Sequence, residues 1–346
     1  MHKNDKPDGV YYDLPEEEYH AIPRLSSSGI RNILVSPMTF WARSWMNPKR
    51  EEREVTIFME RGKAYHARIV EGLEQFNARF AYDLDPTDYP DALVKVDDMK
   101  DWIKTYNLAN GTKHPVGGNK PELAARIAAI DPEVRVWDTI LEQHAKENPG
   151  VKMLPAAWRE PLESSAAYIE RHPTIRHCFT GGAAEVTILW TETYELPDGS
   201  GQTVQVPMKA RVDRLKSEAI IDLKTYGNAL DRSPQRAVTG EVAAHRYHIQ
   251  VATYYRAEAA AVAAGWLPGP AERKFVFVFQ GTGDDPSPIA RIMDRRMSWI
   301  DLGMRQVEHA ALIFDRFSKS HGTDPWIEDS ALEHFSDEDF PPWMAE

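Results

Sequence analysis

The hydrophobic pattern of the chain is helical in its first half and strand-like beyond residue 180. Apolar residues recur every three or four positions in residues 25–46 and 57–76, which predicts helices there. Residues 153–177 are also rich in helix-forming residues. The second half instead carries short runs of apolar and β-branched residues, which predict strands. These runs are 184–190, 204–215, 220–226 and 274–280.

Turn-forming residues separate the first three predicted strands. Residues 195–202, with the sequence ELPDGSGQ, contain proline, aspartate and glycine, and KSEA at 216–219 is a tight turn. Helical patterns occupy 243–267 and 292–317, on either side of the strand 274–280. The order is therefore helix, three strands, helix, strand and helix. It predicts an α/β core in which helices flank a mixed central sheet.

Composition divides the chain into four parts. Residues 1–79 form an N-terminal helical part of the main domain. Residues 80–150 contain more prolines, glycines and charges and no long apolar stripe, which predicts an inserted lobe. Residues 151–320 form the predicted core, and residues 321–346 form an acidic C-terminal tail.

The totals exclude several classes of protein. An apolar fraction of 42% and 10 tryptophans are sufficient for a packed core in 346 residues. The single cysteine, Cys178, excludes a disulfide framework and a four-cysteine zinc or iron–sulfur site. The N-terminus is polar, and no apolar run is long enough to span a bilayer. We therefore expect a cytoplasmic protein.

The net charge of −12 disfavours a nucleic-acid partner at first sight, because phosphate contacts need lysine and arginine. However, the charge is segregated. Residues 321–346 contain eight acidic residues and no lysine or arginine, which leaves −4 for the remainder. Residues 201–260 hold nine basic against six acidic residues, a local charge of +3. A basic surface is therefore compatible with this composition.

Charged residues interrupt the predicted strands at three places. Asp213 and Asp222 flank the turn at 216–219, so the hairpin brings them towards each other across the ladder. Glu185 lies in the preceding strand, and Lys224 lies on the same face as Asp222. Neighbouring carboxylates repel unless a cation lies between them, and oxygen ligands suit Mg²⁺ or Mn²⁺. The alternative interpretation is a structural charge pair near a strand end.

The segment KARVDRLKSEAIIDLKTY resembles the PD-(D/E)xK nuclease motif, with Asp213 followed by Asp222-Leu223-Lys224. Val212 stands where that motif usually has proline. The sequence is most similar to the RecB-like branch of this superfamily. Within that branch it resembles the RecE-type exonucleases (exonuclease VIII) of phages and prophages. The resemblance implies a restriction-endonuclease-like core with a helical insertion.

Four further segments agree with this resemblance and follow the family order. ERGKAYHARIVEG at 60–72 resembles the Gly-x₃-His helix, with His66 in the histidine position. EVTILW places Glu185 where the family has an acidic residue. HIQVATYYRA resembles the Gln-x₃-Tyr helix, with Gln250 and Tyr254 on one helical face. LSSSGIRNILVSPMTFW resembles the serine-rich N-terminal helix of the family.

The resemblance implies a role for each matching residue. His66, Asp213, Asp222 and the Leu223 carbonyl would bind Mg²⁺, and Glu185 would orient water or hold a second ion. Lys224 would position and activate the attacking water. Gln250 and Tyr254 would steady Lys224 or the DNA backbone. The alternatives are a core or surface histidine for His66 and simple helix packing for Gln250 and Tyr254.

The function implied is Mg²⁺-dependent exonuclease action on ends of linear duplex DNA, in the 5′→3′ direction, for recombination. The expected partners are DNA ends and a single-strand annealing or single-strand-binding protein. The resemblance also implies a ring-shaped homo-oligomer, and we expect no association with a membrane. Two alternatives stay open. One is a structure-specific or restriction-like endonuclease with the same site, and the other is a catalytically silent scaffold that binds DNA ends.

Other segments suggest DNA or partner contacts. Residues 96–130 read as two short helices and resemble a SAP-type DNA-binding unit; a purely structural lobe is the alternative. The tail 321–346 would dock a partner protein, solubilise the chain or pack on its core. We expect His245 and His248 on a helix surface or at DNA. Arginines that could follow phosphates, or be ordinary surface charges, are Arg211, Arg214, Arg232, Arg236 and Arg246.

Overall fold

A computed structural model describes residues 4–12, 14–51, 55–228, 232–283 and 286–328 of the chain. The chain divides into two compact units. Unit 1 comprises Met1–Thr56, His177–Phe279 and Ile289–Glu346, and unit 2 comprises Ile57–Arg176 and Gln280–Pro288.

A six-stranded sheet forms the centre of the α/β fold, and helices flank it. Its order is β1-β4-β5-β6-β7-β8, so β5 and β6 lie in the interior of the sheet. The pairs β1/β4, β4/β5 and β5/β6 are antiparallel. The strands are β1 (Gly9–Tyr11), β4 (Ala183–Glu195), β5 (Thr203–Leu215), β6 (Ala219–Tyr226), β7 (Lys274–Gly281) and β8 (Pro288–Met293).

The helices of unit 1 come from both ends of the chain. They are α1 (Glu16–Ala21), α2 (Ser27–Ile33), α3 (Pro37–Arg43), α11 (Pro234–Ala244), α12 (Tyr247–Ala263) and α13 (Ser298–Ser320). Short helix α10 (Arg176–Phe179) lies at the unit boundary. Ser26 and Ser36 cap α2 and α3, because each side chain accepts a hydrogen bond from a backbone amide of the first turn.

Unit 2 is mainly helical and holds its own small core. Met99 and Ile103 from one helix and Leu123 and Ile127 from the next pack with Val136. Its helices are α4 (Ile57–His66), a π-helical turn (Ala67–Glu71), α5 (Leu73–Arg79), α6 (Val96–Asn110), α7 (Lys120–Ile130), α8 (Trp137–Glu147) and α9 (Arg159–Arg171). Strands β2 (Phe80–Tyr82) and β3 (Lys152–Leu154) pair in parallel, and single 3₁₀ turns span Pro86–Asp88 and Ala156–Trp158.

The predicted strands are present, but two helix predictions were wrong at their ends. Residues 292 and 293, which the pattern predicts as helix, form the end of β8, and the helix begins only at Ser298. The predicted helix 243–267 is divided, because Arg246 has a left-handed backbone with φ 49° between α11 and α12. A non-glycine residue in this conformation ends a helix, and neither residue type nor periodicity signals it.

The described part of the acidic tail, residues 321–328, contributes to the core. The Trp326 ring is fully buried and stacks on Phe317, with a centroid distance of 5.6 Å. Residues 329–346, predicted as the rest of this tail, lie outside the described residues. In the part of the chain that the model describes, no helix is long and apolar enough to cross a membrane.

Gly303 sets the distance between α12 and α13, and we expect Gly303→Ala to destabilise the protein. An added Cβ would lie 2.6 Å from the His248 carbonyl oxygen and 3.0 Å from the Ala252 Cβ. Because the nearest atom is backbone, the helices must separate. This overpacking costs about 1–3 kcal/mol, and it should outweigh the roughly 1 kcal/mol that alanine gains in helix propensity. Urea unfolding measures the change.

Gly240→Ala in α11 is the matched control. A Cβ there would lie 4.0 Å from a terminal nitrogen of Arg232. The propensity gain should then act alone, so this variant should be as stable as wild type or more stable. Equal effects of the two substitutions would contradict the close approach at Gly303.

Candidate functional site

Three carboxylates form a row across β4, β5 and β6 in unit 1. The pairs Ala184–Arg214 and Val186–Val212 set the register that brings Glu185 opposite Asp213. The β5/β6 register, continued by one residue from Arg214–Ile221, brings Asp213 opposite Asp222. An oxygen of Glu185 lies within 4.8 Å of an oxygen of Asp213. The hairpin therefore concentrates negative charge at one point of the sheet.

Backbone conformation marks the Glu185 position within this row. Its φ is 54°, at the third position of a strand of 13 residues. A left-handed conformation at a non-glycine residue costs about 1–2 kcal/mol. Such outliers concentrate at functional sites, where the surrounding structure holds them. This strain motivates the hypothesis that Glu185 is retained for its carboxylate.

The Asp213 side chain is held by the neighbouring strand. Its Oδ2 atom accepts a hydrogen bond of 2.7 Å from the Leu223 amide. The amide fixes the carboxylate near the middle of the row without adding a formal charge. The sequence resemblance assigns the Leu223 carbonyl to a metal, and that role stays a prediction.

Lys224 compensates the charge of Asp222. Its ammonium forms an ion pair with the Asp222 carboxylate, whose side chain is only 1% exposed. Burial alone would lower the pKa of Lys224, but Asp222, Asp213 and Tyr247 outweigh it and raise the pKa. The ammonium also lies 5.3 Å from the Tyr247 ring centroid and 5.7 Å from that of Phe277. Lys224 is therefore a fixed cation at neutral pH.

Helix α12 contributes two polar side chains to the same region. The Gln250 amide donates to Asp222 Oδ2 over 2.5 Å, so this carboxylate contacts both an amide and an ammonium. The Tyr254 hydroxyl donates to the backbone carbonyl of Arg211. Burial and the neighbouring carboxylates raise the pKa of Tyr254 well above its usual value, so the phenol keeps its proton. The predicted pair therefore lies beside the carboxylate row.

Arg211 is an internal site residue rather than a surface charge. Its guanidinium pairs with Glu185, and the Arg211 side chain is only 15% exposed. Its Nη1 donates to the Leu14 carbonyl over 2.9 Å. The strand period offered the signal for this placement, because Arg211 lies two residues before Asp213 and thus shares its face. Sequence reasoning grouped it instead with the other arginines.

His66 lies in unit 2, at the C-terminal end of α4. Within that unit its Nδ1 lies 3.6 Å from a carboxylate oxygen of Glu71. Glu71 also pairs with Arg79, so an arginine neighbours this acidic group. Metal binding by His66 stays a prediction.

The two histidines near the start of α12 differ in environment. His245 is exposed and pairs with Glu241, as expected for a surface residue. The surface prediction for His248 is wrong: its side chain is buried, and its Nε2 lies 2.8 Å from Gln306 Oε1. Helical periodicity does not reveal the second helix, α13, that covers this face. Arg214, Arg232, Arg236 and Arg246 lie outside the carboxylate row, and DNA contacts by them stay a prediction.

The donor set fits a hard divalent cation. Glu185, Asp213 and Asp222 offer only oxygen ligands, which Mg²⁺ and Mn²⁺ prefer. Asp213 and Glu185 approach closely enough for one ion to contact both. A cation between them would remove the repulsion of adjacent carboxylates. The residues present are therefore compatible with the ion that the sequence resemblance implies.

Comparisons with known proteins assign no family. No family model matches the chain, and no curated protein does either. A crystal structure of a candidate exonuclease from Eubacterium rectale aligns over 74% of this chain and 97% of its own. The two sequences are 16% identical and the TM-score is 0.34. Similarity at this level carries no functional argument, so function must be argued from the site.

Proposed function

We propose that this protein is a Mg²⁺-dependent deoxyribonuclease that hydrolyses phosphodiester bonds from the ends of linear duplex DNA. One observation supports this proposal most: the row of Glu185, Asp213 and Asp222 with Lys224 beside it. Adjacent carboxylates with a fixed ammonium suit metal-assisted phosphoryl chemistry better than a structural ion pair. A structural pair needs only Asp222 and Lys224, and it leaves the strained Glu185 without a reason.

Glu185, Asp213 and Asp222 would hold the ion, with His66 and the Leu223 carbonyl as further proposed ligands. A bound Mg²⁺ would supply Lewis-acid stabilisation of the charge that develops on the phosphate. The amide of Leu223 keeps the Asp213 carboxylate oriented, since it donates to Oδ2. Asp213 would therefore not need to rearrange around the scissile group, and such preorganisation lowers a reaction barrier.

Lys224 would orient the attacking water and stabilise developing negative charge. Its ammonium keeps its proton at neutral pH, so it acts as a hydrogen-bond donor and cation rather than as a base. Gln250 donates to Asp222 Oδ2 and Lys224 pairs with Asp222 Oδ1, so both oxygens of that carboxylate are held. Tyr254 holds β5 through the Arg211 carbonyl. Both would therefore act as positioning residues.

The 5′→3′ polarity, the ring-shaped oligomer and the role in recombination are proposed from the sequence resemblance. So are an annealing or single-strand-binding partner and a phage or prophage origin. The lobe within 80–150 would grip DNA in this proposal. Its helices α6 and α7 pack around their own small core, which is compatible with a separate binding element.

Linear and covalently closed circular duplexes distinguish the proposed activity from its alternatives. With Mg²⁺, the protein should shorten the linear duplex and leave the circle intact, and EDTA should stop the reaction. Because end-dependent action needs an end, cutting of the closed circle would overturn the exonuclease and favour an endonuclease. Binding of DNA ends without any cleavage would favour the silent scaffold.

A further inference from the structure

We propose that Arg211 is a built-in counter-cation that holds Glu185 in the absence of metal and competes with a divalent ion for its carboxylate. This inference rests on the proposed metal site. It goes beyond that site, because it assigns the control of ion affinity to Arg211, which is not itself a ligand.

Each of the three carboxylates has its own compensating group. Three carboxylates on adjacent strands require compensation, because a partly buried charge is costly without a partner. Lys224 pairs with Asp222, and the Leu223 amide donates to Asp213. Arg211 pairs with Glu185, the remaining member of the row. Each carboxylate therefore has a distinct positive or donor group.

Contacts outside the carboxylate row hold the Arg211 guanidinium in place. Its Nη1 donates to the Leu14 carbonyl, and its guanidinium carbon lies 5.8 Å from the centroid of the Tyr19 ring. These contacts do not involve Glu185. The guanidinium therefore keeps a fixed position when Glu185 turns towards an ion, and it can take the carboxylate back when the ion leaves.

Arg211 and a bound cation would compete for the Glu185 carboxylate. Its pairing with Arg211 places a positive charge near any cation that Glu185 and Asp213 bind together, since their oxygens lie within 4.8 Å. Like charges at short range repel, and the effect is larger in a partly buried site. Arg211 should therefore weaken ion binding while it stabilises the ion-free protein.

Arg211→Met tests this role, because methionine keeps an unbranched chain and removes the charge. Mn²⁺ binding to the full chain, measured by calorimetry, should tighten at least about fivefold, as expected for loss of one nearby positive charge. Arg214→Met is the matched control on the same strand. The Arg214 Nε donates to the Gly181 carbonyl, so its variant should change the dissociation constant less than about twofold.

A second pair of variants shows whether the effect passes through Glu185. In a Glu185→Gln background, Arg211→Met should tighten Mn²⁺ binding by a smaller factor than in the wild type, because competition for the carboxylate is absent and only charge repulsion is left. Equal effects of Arg211→Met and Arg214→Met on Mn²⁺ affinity would overturn the proposal. Weaker Mn²⁺ binding by Arg211→Met, or no Mn²⁺ binding by wild type, would overturn it as well.

A measurement on the wild type keeps the proposal testable if Arg211→Met does not fold. The ¹⁵Nε signal of Arg211, assigned with Arg211→Lys, should shift on addition of Mg²⁺ as Glu185 leaves the guanidinium. The Nε signal of Arg24, which pairs with Asp5, should not shift. An unchanged Arg211 signal at saturating Mg²⁺ would contradict the proposal. Ion binding as described without DNA cleavage would overturn the nuclease function alone.

Discussion

Replacing Lys224 with methionine is expected to lower the rate of DNA hydrolysis about 10³-fold, as removal of one preorganised charge-stabilising group does. The substitution keeps the chain length and removes the ammonium that pairs with Asp222. Affinity for DNA should change little, because Lys224 would act at one scissile phosphate only. Single-turnover rates and fluorescence anisotropy measure the two effects separately.

Lys216→Met is the control for charge and for general damage. Lys216 follows β5, and its ammonium donates to the His177 and Thr180 carbonyls. Its loss removes the same formal charge without touching Asp222, so the hydrolysis rate should stay within about threefold of wild type. A Lys224→Met rate within tenfold of wild type would remove Lys224 from the mechanism.

Replacing Glu185 should separate activity from backbone strain. Both Glu185→Ala and Glu185→Gly remove the carboxylate and should lower the hydrolysis rate about 10²-fold or more. Their stabilities should differ, because only alanine keeps the cost of a left-handed backbone at φ 54°. The glycine variant should be more stable than the alanine variant by about 1–2 kcal/mol in urea unfolding.

Thr193, on the same strand, gives the reference for this comparison. It is exposed in β4 and does not have a positive φ. In an ordinary strand glycine is less stable than alanine by roughly 0.5–1 kcal/mol, so Thr193→Gly should be less stable than Thr193→Ala. The same order at both positions would contradict strain at Glu185.

Sequence alone predicts the hairpin and its charges. The apolar alternation of β5 fixes its faces, and the turn at KSEA sets the β5/β6 register that brings Asp213 opposite Asp222. Only the three residues 216–218 separate β5 from β6, which leaves little freedom in register. For this reason the row could be predicted before any coordinates, together with Lys224 two residues further on.

Tertiary packing decides the features that sequence does not predict. The left-handed backbone of Glu185 and Arg246 is not encoded in residue type, since both residues prefer other conformations. Arg211 resembles a surface charge until α1 and its flanking residues cover it. His248 is buried because α13, distant in sequence, packs on α12. Such contacts depend on long-range pairing that periodicity does not report.

Release of nucleotides from end-labelled linear duplex DNA tests the central claim most directly. Wild type, Lys224→Met and Lys216→Met should be purified identically and assayed with Mg²⁺ and with EDTA. We expect label release by wild type and Lys216→Met with Mg²⁺ only, and about 10³-fold slower release by Lys224→Met. Absence of release by wild type, or equal release by all three proteins, would contradict a metal-dependent nuclease site at the carboxylate row.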